Sequence, residues 1–321
     1  MRIQLITPAA PSARNGNSIT AVRWARMLKQ LGHRVFMDQI YAGARYDLMI
    51  ALHARRSSES IQRFHKQHPD LPLIVALTGT DLYRDIRTSA TAQRSLELAT
   101  RLVVLQSMGI AELPKRLQAK TRVIYQSAPR LNGHVPPARS RFKVCVIGHL
   151  REEKDPLRTA MAARLLPSSS RLRVLHIGRA LNPEIERRAR LESARNPRYR
   201  WLGELTHWKT RRLLASSHLL SLTSKMEGSS NALSEAIASS VPVVTAKIPG
   251  LMGTLGKNYP GYFSVGDTRT LADLLSKAES EPKFYRKLKT HCRRLFPLVD
   301  PNRERHAWRK LLAELRDASK P

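Results

Sequence analysis

Two glutamates, Glu227 and Glu235, stand eight residues apart, shortly before an apolar run that begins at Val241. Between them lies a turn whose small polar residues are Gly228, Ser229, Ser230 and Asn231. A turn of this kind that enters a helix presents unpaired backbone N–H groups, which suit an anion. Carboxylates beside it suit hydroxyl groups. The pattern predicts a site for a ligand with both kinds of group, such as a nucleotide-sugar, while the alternative is a capped surface helix with two solvated glutamates.

A basic loop with Arg151 and Lys154 follows a predicted strand and Gly148. In a chain this basic, both side chains could simply be exposed to solvent. The loop nevertheless leaves the carboxyl end of a strand, where α/β sheets bind ligands. A lysine and an arginine there can stabilise the negative charge of a departing diphosphate.

The first half of the chain has three polar segments, each at the edge of a predicted strand or helix. Their candidate binding residues are Gly16, Asn17 and Ser18, then His53, Arg55 and Arg56, and then Thr78, Gly79, Thr80 and Asp81. Arginines and helix N-termini would suit a small anionic substrate. The alternatives are a packed or capping His53, a solvated helix start at the two arginines, and an Asp81 that only caps a helix.

The chain has 321 residues and a formal net charge of +31. The excess is spread along the chain without a basic arm. It can reflect codon bias, the steering of phosphorylated substrates, or nucleic-acid binding. Aromatic residues make up only 6%, a poor supply for base stacking. Two cysteines cannot form a disulfide framework. The apolar residues at the start of the chain are interrupted by polar ones, which indicates a strand rather than a signal peptide. We therefore expect a cytoplasmic protein without a membrane span.

Short apolar runs alternate with amphipathic segments along most of the chain. Strands are predicted at Ile3–Ile6, Arg34–Met37, Leu48–Leu52, Leu73–Leu77, Leu102–Leu105, Val123–Tyr125, Lys143–Ile147, Arg173–Ile177, Arg200–Leu202, Leu219–Leu222, Val243–Ala246 and Tyr262–Val265. This alternation predicts an α/β fold with two doubly wound, Rossmann-like domains facing each other across a cleft. The predicted boundaries are 1–130 for the acceptor-binding domain, 131–141 for a linker, 142–301 for the nucleotide-sugar-binding domain, and 302–321 for a helix docking back on the body.

The motifs together resemble the glycosyltransferases of family four, which have the two-domain GT-B fold. The two glutamates and their turn resemble that family's Glu-x7-Glu signature, and residues 146–156 resemble its Gly-Arg-Leu-x-x-x-Lys-Gly loop. The resemblance implies that Glu227 holds sugar hydroxyls, Glu235 the ribose diol and Lys154 the donor diphosphate. It also places Gly178 and Gly203 at the ends of the next two strands of the donor site.

The sequence departs from the family pattern at several positions. His149 stands where the loop arginine is usual, so either His149 or Arg151 is expected to contact the diphosphate. Asp155 and Ser240 each replace a glycine. The residues predicted to act in catalysis are His53, Arg151, Lys154 and Glu227.

Three runs in the first half, with the loop that starts at Gly148, resemble a narrower group, the selenosugar synthase of selenoneine biosynthesis. These runs are Gly16-Asn17, residues 52–57 and residues 76–85. The resemblance implies a UDP-sugar donor, expected to be UDP-N-acetylglucosamine, and selenophosphate as acceptor. Such an anionic nucleophile needs no strong general base. No metal site is predicted, because the sequence has no Asp-x-Asp motif and no ligand-spaced His/Cys cluster. The UDP-sugar is a co-substrate, and no cofactor is expected.

Other functions remain open from the sequence. A family-four transferase acting on an ordinary hydroxyl or thiol would need His53 or Asp81 as a base. A UDP-sugar epimerase would use carboxylates and a histidine at the anomeric centre without an acceptor. A nucleic-acid binder would bind any duplex with a steep dependence on salt.

Overall fold

In a computed structural model, the residues that the structure describes are 1–10, 13, 15–131, 133, 136–137 and 140–317. The chain divides into two compact units. The first comprises Met1–Ser127, Glu227–Asn231 and Pro301–Pro321, and the second comprises Ala128–Met226 and Ala232–Asp300. Five residues of the predicted linker 131–141 lie outside the described residues.

The first unit is built on a six-stranded parallel sheet in the order β2-β1-β3-β4-β5-β6. Its strands are β1 (Arg2–Ile6), β2 (Arg34–Asp38), β3 (Leu48–Leu52), β4 (Leu73–Leu77), β5 (Arg101–Val104) and β6 (Thr121–Val123). Its helices are α1 (Gly16–Gln30), α2 (Ser58–Gln67), α3 (Ile86–Thr88), α4 (Ala90–Leu98) and α5 (Lys115–Gln118), with a π-helix at Asp81–Asp85 and a 3₁₀ turn at Ser107–Gly109. The central strands β3 and β4 are apolar and buried at every position, as expected for parallel strands covered on both faces.

The second unit repeats this architecture with the strand order β12-β11-β10-β7-β8-β9, again all parallel. Its strands are β7 (Phe142–Ile147), β8 (Leu172–Ile177), β9 (Tyr199–Trp201), β10 (Leu219–Leu222), β11 (Val243–Ala246) and β12 (Tyr262–Phe263). Its helices are α6 (Arg158–Arg164), α7 (Pro183–Arg195), α8 (His207–Ala215), α9 (Asn231–Ala238), α10 (Pro249–Leu255), α11 (Thr268–Ser280) and α12 (Pro282–Arg294), with 3₁₀ turns at Glu152–Lys154 and Phe296–Val299. The prediction of two Rossmann-like α/β domains is confirmed.

The last helix, α13 (Pro301–Asp317), belongs to the first unit. Its Trp308 packs edge-to-face against Trp24 of α1, with ring centroids 4.8 Å apart. The Glu304 carboxylate is buried and accepts hydrogen bonds from the Trp24 indole at 2.7 Å and from the Ser127 backbone N–H at 2.9 Å. Buried carboxylates are tolerated when they are hydrogen-bonded in this way, so α13 is fixed to the first unit by both apolar and polar contacts.

Several strand ends differ from the sequence prediction by one residue, and the ends of the sixth and twelfth strands differ by two. The sixth strand ends at Val123 rather than Tyr125, because its partner β5 ends at Val104, directly opposite Val123. The twelfth strand ends at Phe263, because the chain turns at Gly266, whose φ is +83°. The sixth strand is therefore displaced by two residues towards the N-terminus, and the twelfth is two residues shorter than predicted. Among the described residues no helix is long and apolar enough to cross a membrane.

Candidate functional site

The loop after β7 carries the predicted anion-binding lysine. Lys154 lies in the short 3₁₀ turn, and its aliphatic stem covers Gly148, where an added Cβ would lie 3.6 Å from the lysine Cδ. The Thr223 hydroxyl, just after β10, donates to the carbonyls of Lys154 and Asp155 at 2.9 Å each. The loop backbone is therefore held to the end of a neighbouring strand. Asp155 has a φ of +44°, in the left-handed region where glycine is usual.

His149 and Arg151 occupy different environments on this loop. The His149 Nδ1 accepts a hydrogen bond from the Arg179 backbone N–H at 3.1 Å, and burial lowers the pKa of the ring. A neutral ring with Nδ1 as acceptor carries its proton on Nε2. The Arg151 Nε lies 3.9 Å from a Glu153 carboxylate oxygen in a partly exposed position. An anion at this loop could thus receive one neutral donor from His149 and one charged donor from Arg151.

The ends of β7, β8 and β9 interlock through their backbones. Gly178 has no room for a side chain, because an added Cβ would lie 1.9 Å from the Gly148 carbonyl oxygen. Its N–H donates to the carbonyl of Gly203, which has a φ of +68°. The Trp201 indole donates to the Gly178 carbonyl at 2.8 Å. Gly178 therefore serves the close packing of these loops, whereas Gly203 has space around it and suits the left-handed backbone at that position.

A buried histidine that the sequence reasoning missed supports the same loops. His176 of β8 lies 3.3 Å through Nε2 from the Gly148 carbonyl and 2.9 Å through Nδ1 from the Tyr199 hydroxyl. Burial lowers the pKa of His176 to about 4. Since the carbonyl can only accept, Nε2 donates to it and Nδ1 accepts from the tyrosine. The available signal was a histidine between the apolar residues Leu175 and Ile177 near the end of a strand.

Glu235 is buried in α9, where its carboxylate oxygen Oε1 lies 2.7 Å from Nε2 of His207 at the start of α8. Arg211 stands one turn further along α8 and is also buried. Burial lowers the pKa of Arg211, and the negative charge of Glu235 acts in the opposite direction. The structure therefore adds two α8 residues to the surroundings of a predicted site glutamate. Sequence reasoning missed both, since a histidine at a helix start has many ordinary explanations.

The segment Glu227–Asn231 groups with the first unit, although it follows β10 of the second unit and ends at the first residue of α9. Glu227 and Ser230 are buried and Ser229 is partly exposed. Gly228 lies directly against the loop that follows β4. A Cβ added to Gly228 would lie 2.5 Å from the Thr78 carbonyl and 2.7 Å from the Gly79 nitrogen. A glycine is therefore required at position 228 for this close approach.

Arg23 of α1 ties the same segment to the start of its own helix. Its guanidinium donates to the Asn231 side-chain oxygen at 2.8 Å, and the Asn231 amide donates to the Gly16 carbonyl at 3.4 Å. Gly16 is exposed and Asn17 is partly exposed at this helix start. Ser18 is buried, and its backbone N–H donates to the capping Asn15 at 3.0 Å. Gly16 and Asn17 are therefore accessible to a ligand, whereas Ser18 is engaged in the cap.

His53 is buried directly after β3, with a φ of +73°. Its Nδ1 accepts from the Arg56 backbone N–H at 3.3 Å, and its Nε2 lies 3.0 Å from the Thr80 hydroxyl. Both ring nitrogens are thus engaged within the chain. The left-handed backbone is strained for a histidine, and strain of this kind is found at functional sites.

Asp81 is fully buried and accepts hydrogen bonds from three backbone N–H groups. These come from Ala54 at 3.0 Å, Thr78 at 3.0 Å and Gly79 at 2.7 Å. The carboxylate therefore joins the loops after β3 and β4. This agrees with the capping alternative considered for Asp81 and leaves it poorly placed to accept a proton from a substrate.

The two arginines after β3 differ in their partners. Arg55 places its Nε 3.3 Å from the carboxylate of the buried Asp85. Arg56 is exposed, and among the described residues it forms no ion pair. The charge of Arg56 is therefore less neutralised than that of Arg55.

In the same described ranges, no group of three or more His, Cys, Asp and Glu side chains is arranged to hold a metal ion.

The fold consists of two Rossmann-like units, and the second has a basic loop and a buried glutamate near the ends of its strands. Comparison with solved structures places the fold in the GT-B class. A crystal structure of HepE from Anabaena in complex with UDP-glucose has a TM-score of 0.73 at 16% identity, covering 98% of this chain and 100% of that one. Sucrose-phosphate synthase from Thermosynechococcus elongatus has a TM-score of 0.79 at 15% identity, covering 99% and 100%. At these identities the likeness shows the fold alone.

The sequence model of the family "Glycosyl transferases group 1" matches residues 134–294, which is half of the chain. The chain therefore belongs to the group 1 glycosyltransferases, and the predicted family is confirmed at this level. A comparison with curated proteins gives no significant match.

Proposed function

We propose that this glycosyltransferase moves a hexosyl group from a UDP-sugar to the selenium of selenophosphate, with UDP-N-acetylglucosamine as the expected donor. Selenium attacks the anomeric carbon, the bond from that carbon to the diphosphate oxygen breaks, and UDP leaves. Water then cleaves the Se–P bond of the product, which releases phosphate and leaves a selenosugar.

The observation that carries this proposal is that the candidate bases of the first unit are already engaged. His53 has both ring nitrogens bonded within the chain, and the Asp81 carboxylate holds three backbone N–H groups. A hydroxyl acceptor would need a base to remove its proton, whereas selenophosphate is already anionic. The engagement of these two candidate bases favours an acceptor that is a nucleophile before it binds.

The donor half of the proposal rests on the second unit and on the Glu227–Asn231 segment. Lys154 would neutralise the diphosphate as the anomeric bond breaks, with His149 and Arg151 as further donors. Glu235 would accept the ribose hydroxyls, and Glu227 the sugar hydroxyls. The HepE structure with bound UDP-glucose supports a uridine nucleotide as the donor for this fold. No metal ion is assigned to the reaction.

The acceptor half rests on the first unit. A small, multiply charged acceptor needs cations and free N–H groups, and the accessible groups are Arg56 and the start of α1 at Gly16–Asn17. The Thr78–Thr80 loop is half-buried, and its Thr78 and Gly79 N–H groups already donate to Asp81. Because Asp85 partly neutralises Arg55, the proposal assigns the larger role to Arg56.

The direct test is incubation with UDP-N-acetylglucosamine and selenophosphate, with UDP release and a selenium-containing sugar measured by mass spectrometry. Arg56→Ala should raise the selenophosphate KM more than Arg55→Ala does, and neither should weaken UDP binding. Inorganic phosphate and thiophosphate should compete with selenophosphate in the parent and less well in Arg56→Ala.

Asp81→Asn is the variant that separates this proposal from a transferase with an ordinary hydroxyl acceptor. Here it should lower stability, because a buried N–H group loses a charged acceptor at a cost of about 1.5–3 kcal/mol. The folded fraction should still turn over selenophosphate. If both arginine variants have the parent's KM for selenophosphate while folded Asp81→Asn is inactive, the proposal is wrong. A transferase with a hydroxyl acceptor then replaces it.

A further inference from the structure

His207 touches a site glutamate without being part of any motif in the sequence. Its Nε2 lies 2.7 Å from Oε1 of Glu235, and within the described part of the chain it is the only donor to that carboxylate. The glutamate side chain is 9% exposed and the histidine side chain is 56% exposed. The contact therefore joins a buried carboxylate to a ring at the surface.

The position of the ring is fixed by the start of α8. Thr206 precedes the helix as its N-cap, and its hydroxyl accepts from the Lys209 backbone N–H at 3.4 Å. His207 is therefore the first residue of a capped helix, with little backbone freedom. From this fixed point the imidazole meets Oε1, while Oε2 and the second lone pair of Oε1 are left for a ligand.

We infer that His207 is a positioning residue for the nucleotide donor, acting through Glu235 on the vicinal hydroxyls of the ribose; this inference rests on the donor site proposed above. A glutamate side chain has three rotatable bonds, and holding it in one rotamer costs entropy when a ligand must do so. His207 holds the carboxylate in place before the ligand arrives. The ribose diol then meets an acceptor that is already oriented.

A positioning role makes a selective prediction about two nucleotides. His207→Ala should raise the Kd for UDP about 3- to 10-fold, since ordering one long side chain costs about 0.5–1.5 kcal/mol. It should raise the Kd for 2′-deoxy-UDP by a smaller factor, because that ligand keeps only the 3′ hydroxyl to meet the carboxylate. His207→Gln can still donate one N–H and should recover most of the UDP affinity. At saturating donor, kcat should stay near the parent value while the donor KM rises.

The experiment is isothermal titration calorimetry of UDP and 2′-deoxy-UDP against the parent, His207→Ala, His207→Gln, Glu235→Ala and the double variant of His207 and Glu235. His306→Ala, at an exposed histidine of α13, is the matched control and should bind like the parent. In the double variant the loss should equal that of Glu235→Ala alone, because His207 acts only through the glutamate. Thermal melting confirms that each variant is folded.

The outcomes separate this inference from the donor site on which it rests. If Glu235→Ala loses UDP affinity but His207→Ala does not, or if His207→Ala weakens both nucleotides equally, the positioning role is refuted and the donor site stands. If the parent binds no uridine nucleotide, the donor assignment itself is refuted and the inference falls with it.

Discussion

His176 makes a quantitative prediction because it links the acid stability of the second unit to the loop that carries Lys154. Its pKa is lowered from 6.5 to about 4 by burial, although the hydrogen bond to the Gly148 carbonyl acts in the opposite direction. In the unfolded chain the ring titrates near its ordinary pKa of about 6.5. Between these two values the unfolded state binds a proton that the folded state does not.

The sign of the effect follows from this difference. Stability rises with pH wherever the unfolded state binds more protons, so the contribution of His176 is fully present above pH 6.5. It is lost as the pH falls from 6.5 towards 4. One pKa unit corresponds to about 1.4 kcal/mol, so the full shift corresponds to about 3 kcal/mol.

The perturbation is His176→Gln, which removes the titrating ring and keeps a side-chain N–H within the strand. At pH 7 the variant should be about 1 kcal/mol less stable, because a hydrogen bond is lost or weakened. Between pH 7 and pH 4 the parent should lose about 3 kcal/mol more than the variant. Burial also lowers the pKa of His33, His149 and His218, but these groups are present in both proteins and cancel in the comparison.

Urea unfolding followed by far-UV circular dichroism at several pH values measures these differences. Hydrogen exchange of peptides from β7, β8 and β9 assigns the transition to the second unit. Parallel stability curves for the two proteins across this pH range would refute the buried, neutral state of His176. Because the ring holds the Gly148 carbonyl, UDP affinity of the parent should fall over the same range and change less in the variant.

Three further substitutions probe the donor side. Gly178→Ala should lower stability by about 1–3 kcal/mol and weaken UDP binding, because the new Cβ would lie 1.9 Å from the Gly148 carbonyl oxygen. An unchanged midpoint of urea unfolding would contradict the close packing of these loops. Ser240→Gly should raise stability by about 0.5 kcal/mol, because the serine has a φ of +56°, which a glycine adopts without strain. A lower melting temperature would show that the contacts of the serine side chain stabilise the fold by more than this strain costs. Lys154→Ala should lower kcat about 10²–10³-fold with a smaller rise in donor KM, and steady-state kinetics showing the reverse would place the lysine in ground-state binding. Addition of a chelator should leave the parent rate unchanged, and strict dependence on Mg²⁺ or Mn²⁺ would oppose the metal-free mechanism.

The sequence by itself determined the fold class and the residue types of the proposed donor site. Continuous apolar runs of five residues such as Leu48–Leu52 and Leu73–Leu77 are typical of strands buried on both faces, and their alternation with amphipathic segments indicates parallel sheets. The Glu-x7-Glu pattern and the basic loop at Lys154 are local in sequence, so their spacing is visible without a structure.

The tertiary structure decided which of these side chains are available. His207 meets Glu235 across 28 residues, and His53 meets Thr80 across 27, so both contacts depend on which strands and helices become neighbours. Asp81 looked equally suited to capping and to catalysis until three backbone N–H groups were found on its carboxylate. A side chain's partners are set by packing between distant segments, because most buried polar groups are hydrogen-bonded to whichever groups packing brings beside them. Sequence spacing therefore predicted where chemistry could occur, and packing decided which groups are free to perform it.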